Sequence, residues 1–66
     1  MELVVNNKPQ KLLSGNKLSE LLLQLNMETR GIAVAVNNIV ISKSDWNNYE
    51  LNDKDKITII KATQGG

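Results

Sequence analysis

The sequence predicts an α+β domain in which one helix packs on one face of a mixed sheet of four or five strands. Three observations support this fold class. Several short segments alternate apolar and polar residues with a period of two, which is typical of strands. A single segment carries leucines at the spacing of a helix. With 66 residues, the chain can form one domain, over 1–66, with one small core.

The first two strands are predicted to form a hairpin. Residues 1–6, MELVVN, place Met1, Leu3 and Val5 on one face of a strand. The segment NNKP follows and favours a turn, because asparagine tolerates a positive φ and proline cannot donate to a sheet ladder. We therefore expect the second strand over residues 10–13, QKLL.

One helix is predicted, over residues 17–26. Gly15 ends the preceding strand, and the side chain of Asn16 is expected to cap the free amides of the first helical turn. Leu23 lies off the apolar stripe and is expected to be exposed. The leucines that form the stripe recur at helical spacing: Leu18, Leu21, Leu22 and Leu25.

A second hairpin is predicted after the helix. The segment Ile32–Val36 alternates large and small apolar residues, so its large side chains face the helix while Ala33 and Ala35 lie on the opposite face. The asparagines at 37–38 form the turn, and Ile39–Ile41 is the partner strand.

The last strand is predicted over residues 56–62, after a stretch without a clear period. That stretch, SKSDWNNYEL, is expected to form a turn or a short 3₁₀ helix that brings Trp46 and Leu51 onto the core. In the strand, Ile57 and Ile59 face one way. The other face carries Thr58, Ile60 and Ala62.

One face of the sheet is left for a partner or for solvent, because a single helix covers one face only. If the strands are neighbours, this face carries a small apolar patch that we expect to bind a partner: Ile60, Ala62, Ala33 and Ala35. Scattered surface aliphatic residues are an equally good explanation of the same pattern.

The composition argues against an enzyme and against a metal site. The chain has no histidine and no cysteine, the side chains used most often as metal ligands, nucleophiles and general bases near neutral pH. The closest carboxylates, Asp53 and Asp55, are read as residues of a turn. We therefore expect no catalytic, cofactor-binding or metal-binding residue in this chain.

Charge and hydropathy point to a soluble protein of the cytoplasm that binds neither nucleic acid nor membrane. Eight Lys and Arg oppose seven Asp and Glu without forming a basic block, and there are only two aromatic residues. The absence of cysteine and of a long apolar run gives no indication of secretion or membrane insertion.

The sequence ends in Gly-Gly, a mobile pair that does not favour regular structure, shortly after the last predicted strand. Residues 63–66 are expected to form a flexible tail that extends about 13 Å from the domain. Two glycines without Cβ atoms fit a narrow slot and leave the carbonyl carbon of Gly66 open to attack. A frayed end would look the same, so the pair is informative only together with the rest of the chain.

Four segments in order resemble the ubiquitin-like β-grasp sulfur carriers, and most closely the ThiS carriers of thiamine biosynthesis. They are MELVVNNK, SGNKLSELLLQL, VAVNNIVISKSDW and LNDKDKITIIKATQGG, and they span essentially the whole chain. Two positions depart from the family pattern. Lys54 stands where a glycine is usual before the last strand, and Ser42-Lys43 stands where Pro-Arg is common.

The resemblance implies that this chain is a protein co-substrate rather than an enzyme. An activating enzyme resembling ThiF would adenylate the carboxylate of Gly66 with ATP, and sulfur from a donor protein would then replace AMP. The thiocarboxylate would give its sulfur to a thiazole synthase resembling ThiG. Thr63, Gln64 and Gly65 would enter the partner active sites with Gly66. The chain itself would bind no cofactor.

Two other hypotheses stay open at this point. The chain could be a sulfur carrier of another pathway, such as the small subunit of molybdopterin synthase, which is usually longer. It could instead be a non-covalent β-grasp binding module whose carboxyl end does nothing.

Overall fold

The computed structural model describes residues 1–61. Its elements are β1 (Glu2–Val5), β2 (Lys8–Lys11), α1 (Leu18–Gln24), β3 (Ile32–Val36), β4 (Ile39–Ile41), a 3₁₀ helix (Lys43–Asp45) and β5 (Lys56–Lys61). The five strands form one mixed sheet in the order β2-β1-β5-β3-β4, with β1 and β5 parallel and the other pairs antiparallel. The predicted α+β class and element order are confirmed.

The last strand of the described residues, β5, is the middle strand of the sheet. Val5 pairs with Ile57 in the parallel β1–β5 ladder, and Val34 pairs with Ile59 in the antiparallel β3–β5 ladder. The first hairpin and the second hairpin therefore flank β5 on opposite sides. As a result, the described part of the chain ends at Lys61 in the central strand of the sheet rather than in an edge strand.

The core lies between α1 and one face of the sheet. Leu18, Leu21 and Leu22 of the predicted helical stripe are fully buried, whereas Leu23 is 81% exposed, as predicted. Each fully buried aliphatic side chain contributes about 1.5–3 kcal/mol to folding. The other buried apolar residues are Leu3, Leu12, Val34, Val36, Ile41, Trp46, Leu51, Ile57 and Ile59.

The second strand begins earlier than predicted, at Lys8 instead of residue 10. Asn6 and Asn7 both adopt a positive φ, of 49° and 67°, so the turn takes only these two residues. Such a turn closes on the hydrogen-bonded pair Val5–Lys8, which makes the next pair, Val4 with Pro9, a non-hydrogen-bonded one. The missing N–H of proline is tolerated because β2 is an edge strand.

The helix is shorter than the predicted 17–26. Asn26 has a φ of 55°, which cannot continue a helix. At the other end the N-cap is Lys17 and not the predicted Asn16. The carboxylate of Glu20 accepts the backbone N–H groups of Asn16 at 3.1 Å and Lys17 at 3.0 Å, whereas the free amides of the first helical turn donate to backbone oxygens.

The segment between β4 and β5 packs as predicted. A 3₁₀ helix covers Lys43–Asp45 and is followed by Trp46, which is buried together with Leu51. The indole Nε1 of Trp46 donates a hydrogen bond to the backbone oxygen of Ile41 at 2.9 Å, so the polar atom of this aromatic side chain is satisfied inside the core. Trp46 is therefore a core residue.

The turn before β5 depends on its carboxylates. Asp55 is buried and accepts hydrogen bonds from Nδ2 of Asn37 at 3.0 Å and from the backbone N–H of Asn52 at 2.8 Å. Asp53 accepts the first backbone N–H of β1 at 2.7 Å. Lys54 adopts a φ of 70° at the position where the resemblance leads us to expect glycine. The turn therefore has the left-handed backbone conformation that favours glycine, although the residue there carries a lysine side chain.

Candidate functional site

β5 leads directly into the predicted reactive tail. Its last residue, Lys61, pairs with Ile32 at the start of β3. The tail predictions for Thr63, Gln64, Gly65 and Gly66 lie outside the described residues, and so does the prediction for Ala62.

The face of the sheet opposite α1 carries an apolar surface beside the end of β5. Ala33 pairs with Ile60 and Ala35 pairs with Thr58 in the β3–β5 ladder. Paired residues of adjacent strands project to the same face, so these side chains are neighbours. The structure therefore brings together three residues of the predicted patch, Ile60, Ala33 and Ala35. That they bind a partner stays a prediction.

One residue of this surface was missed in the sequence. Val40 of β4 pairs with Ala35, which extends the surface by one strand, and its side chain is 73% exposed. The signal was present, because alternation in Ile39–Ile41 places Val40 opposite the buried Ile41. We refer to the set formed by Ile60, Thr58, Ala33, Ala35 and Val40 as the open-face patch.

The open-face patch contributes little to the core. Ile60 is 60% exposed, although it sits in the central strand of the sheet. Single exposed aliphatic residues are normal, but contiguous ones on adjacent strands mark a surface that another molecule can cover. Lys56 lies on the same face at the other end of β5, so the strand becomes apolar toward the end where the tail begins.

The carboxylates of Glu20, Asp53 and Asp55 accept hydrogen bonds within the fold. Residues 1–61 contain no group of three or more His, Cys, Asp or Glu that could hold a metal ion. The ion pair between Lys17 Nζ and Glu50, at 3.1 Å, is at the surface and joins the start of α1 to the segment before β5.

No helix of the described part has the length and apolar character needed to cross a lipid bilayer.

These features define a class of protein: a ubiquitin-like β-grasp domain, with one helix on a five-stranded mixed sheet and a chain end that follows the central strand. The sequence model of a protein family, described as the ThiS family, matches residues 3–66 of this chain. The chain therefore belongs to the ThiS family.

Individual relatives agree with this assignment. The chain is 27% identical to the sulfur carrier protein ThiS of Escherichia coli strain K12 over 66 residues, which is 100% of both chains. The crystal structure of the thiamine biosynthesis protein ThiS from Geobacter metallireducens matches with a TM-score of 0.83 at 25% identity, covering 100% of each chain. A solution NMR structure of a thiamine biosynthesis protein from that organism gives 0.77 at 25% identity, covering 100% of this chain and 88% of the other. The predicted family and β-grasp fold are thus confirmed.

Proposed function

We propose that this chain is a sulfur carrier of thiamine biosynthesis and that the carboxylate of Gly66 is the group that carries the sulfur. One observation carries this proposal: the ThiS family match extends from residue 3 through residue 66, so it includes the Gly-Gly end. The names of the relatives, a sulfur carrier protein and thiamine biosynthesis proteins, agree with it.

The chemistry begins with activation of a poor electrophile. An oxygen of the Gly66 carboxylate attacks the α-phosphorus of ATP, and pyrophosphate leaves. The acyl adenylate then has AMP as a good leaving group: hydrosulfide delivered by a donor protein attacks the acyl carbon, the C–S bond forms, and the bond to AMP breaks. The product is a thiocarboxylate, which passes its sulfur to the thiazole precursor.

The partners supply what this chain lacks. An activating enzyme like ThiF binds ATP, and a thiazole synthase like ThiG receives the sulfur. In this division of labour the carrier is a substrate of both, and it works in the cytoplasm with them. The absence of histidine and cysteine from the sequence fits a protein that presents a reacting group and does not catalyse.

The open-face patch is the surface we propose for partner docking. It lies on the face left uncovered by α1, and Ile60 is one residue from the last described position of β5. A partner that covers Ile60 and Val40 removes two exposed aliphatic side chains from water, which is favourable by about 25 cal/mol for each Å² buried. The same contact brings the partner beside the start of the tail.

The experiment is to extend the chain by one alanine after Gly66. The added residue turns the Gly66 carboxylate into an amide, so ATP–pyrophosphate exchange by the activating enzyme should fall to background. The circular dichroism spectrum should not change, because the addition leaves every residue of the described strands and helix in place. Exchange that persists in the extended chain would contradict the proposal and would favour a non-covalent binding module.

A further inference from the structure

The side chain of Asn6 takes the place of a strand beside β5. The parallel β1–β5 ladder ends with the pair Val5–Ile57, after which β1 turns away at Asn6. The carboxamide of Asn6 then binds both backbone groups of Ile59. Its Oδ1 accepts the N–H of Ile59 at 2.8 Å, and its Nδ2 donates to the carbonyl oxygen of Ile59 at 3.2 Å.

These two hydrogen bonds prolong the support of β5 on its β1 side. The backbone N–H of Asn6 donates to the carbonyl oxygen of Ile57 at 2.9 Å, so the backbone N–H and C=O groups of Ile57 point toward β1. Ile59, two residues further along the strand, faces the same way, and there β1 is no longer present. A strand N–H and C=O without partners cost free energy where water is partly excluded, and these contacts of Asn6 are partly buried.

The position of this contact gives it a second consequence. Ile59 immediately precedes Ile60 of the open-face patch and lies two residues before Lys61, where the described part of β5 ends. On the β1 side Asn6 holds this stretch, and on the other side the β3 ladder holds it through Ala33 and Ile32. Loss of the Asn6 contact would therefore loosen the part of the strand that carries the tail.

We propose that Asn6 is a positioning residue for activation of the chain end. It keeps the last residues of β5, Ile59 to Lys61, in register. Ile60 and the start of the tail are thereby presented together to the activating enzyme. The inference rests on the proposed function above and adds a residue to it. In the sequence, Asn6 was explained by its turn alone.

The variant Asn6→Gly tests this role while keeping the turn. Glycine accepts the φ of 49°, so only the carboxamide is lost. If the end of β5 is open for part of the time, the apparent affinity for the partner falls in proportion to the closed fraction. We expect KM of the activating enzyme for the carrier to rise about three- to tenfold while kcat stays within about twofold. Asn6→Asp keeps the acceptor for the N–H of Ile59 but places a carboxylate oxygen where Nδ2 met the carbonyl oxygen of Ile59, and because these two oxygens repel, KM should rise in the same direction but by less.

Two controls separate positioning from stability. Asn7→Gly changes the neighbouring turn residue, which also has a positive φ, and should leave KM within about twofold of wild type. Ile41→Val lowers global stability through the core, far along the sheet from Asn6, and should also leave KM unchanged at temperatures where the protein is folded.

Amide hydrogen exchange provides a measurement that does not need the partner. In Asn6→Gly, the amides of Ile59 and Ile60 should exchange faster relative to that of Ile57, whereas Ile41→Val should change all three amides in proportion.

The outcomes are distinguishable. If Asn6→Gly raises KM no more than Ile41→Val does at equal loss of stability, or if the relative exchange of Ile59 is unchanged, Asn6 is a turn residue and the positioning role is wrong. If wild type itself is never adenylated, the proposed function fails and the positioning role fails with it.

Discussion

Ile59 and Ile60 are adjacent in β5 and chemically identical, yet their surroundings are opposite. Ile59 packs against α1 and is 7% exposed, while Ile60 lies on the uncovered face and is 60% exposed. The difference comes entirely from the alternation of a strand between two faces. It teaches that one face of this sheet determines whether the domain folds, and that the other is free to determine what the domain binds.

The two faces should therefore respond differently to substitution. Changes on the helix side should alter the free energy of unfolding and leave partner affinity intact in the folded protein. Changes on the open face should do the reverse. Four variants, taken from the largest expected effect to the smallest, can break or sharpen this distinction.

Ile59→Ala should have the largest effect. It leaves a cavity in the core and is expected to lower the free energy of unfolding by about 3 kcal/mol. The measurement is urea denaturation followed by circular dichroism. The matched control is Ile60→Ala, which should stay within about 0.5 kcal/mol of wild type. Equal losses for both variants would show that the two faces are not energetically distinct.

Gly15→Ala should damage the start of α1. Gly15 has a φ of 79°, and a Cβ there would meet the carboxylate of Glu20, which caps the helix. Backbone strain and loss of the cap should together cost about 2 kcal/mol of unfolding free energy. The control Ser14→Ala alters an exposed neighbour and should cost less than about 0.5 kcal/mol. A Gly15→Ala variant as stable as wild type would mean that Glu20 caps the helix equally well from another position.

Ile60→Asp should weaken partner binding without unfolding the domain. A charge in the open-face patch opposes burial against an apolar surface, so the Kd for the activating enzyme should rise about tenfold or more. The circular dichroism spectrum should stay near that of wild type. Leu23→Asp is the control, because Leu23 is equally apolar and 81% exposed on the helix side. An unchanged Kd for Ile60→Asp would remove this patch from the proposed interface.

Lys54→Gly should have the smallest effect, and it should stabilise. Relief of the left-handed conformation at φ 70° exceeds the extra chain entropy of glycine, for a net gain of about 0.5–1 kcal/mol. Thermal and urea denaturation measure this gain, and the Kd for the activating enzyme should not change. Lys54→Ala retains a Cβ and should give no gain, so a gain of the same size in both variants would contradict strain as the cause.

The periodic spacing of apolar residues within each element made most of the fold predictable. The faces of Ile32–Val36 and of the last strand follow from a period of two, and the leucines of α1 follow from a period of 3.6. The side chains that fill one core had to lie on one face of each element, so the order of elements and the α+β class followed. The pairing of Ala33 with Ile60 became visible once β3 and β5 were neighbours.

What could not be predicted depends on local geometry and on contacts distant in sequence. The start of β2 depends on two consecutive asparagines in the left-handed conformation. The sequence predicted that Pro9 belongs to the turn, whereas Pro9 pairs with Val4 inside the strand. The position of the N-cap, at Lys17, depends on the hydrogen bond from its backbone N–H to the carboxylate of Glu20. The contact of Asn6 with Ile59 joins residues 53 positions apart, and a single sequence carries no sign of it.

Gly66 must be the residue that reacts if the open face and the central strand serve to present the chain end. The direct measurement is mass spectrometry after incubation with ATP, the activating enzyme and a sulfur source, followed by fragmentation to locate the change. Replacement of one oxygen by sulfur should add about 16 Da, confined to Gly66. A chain that gains no mass, or that gains it at another residue, would contradict this role for the carboxyl end.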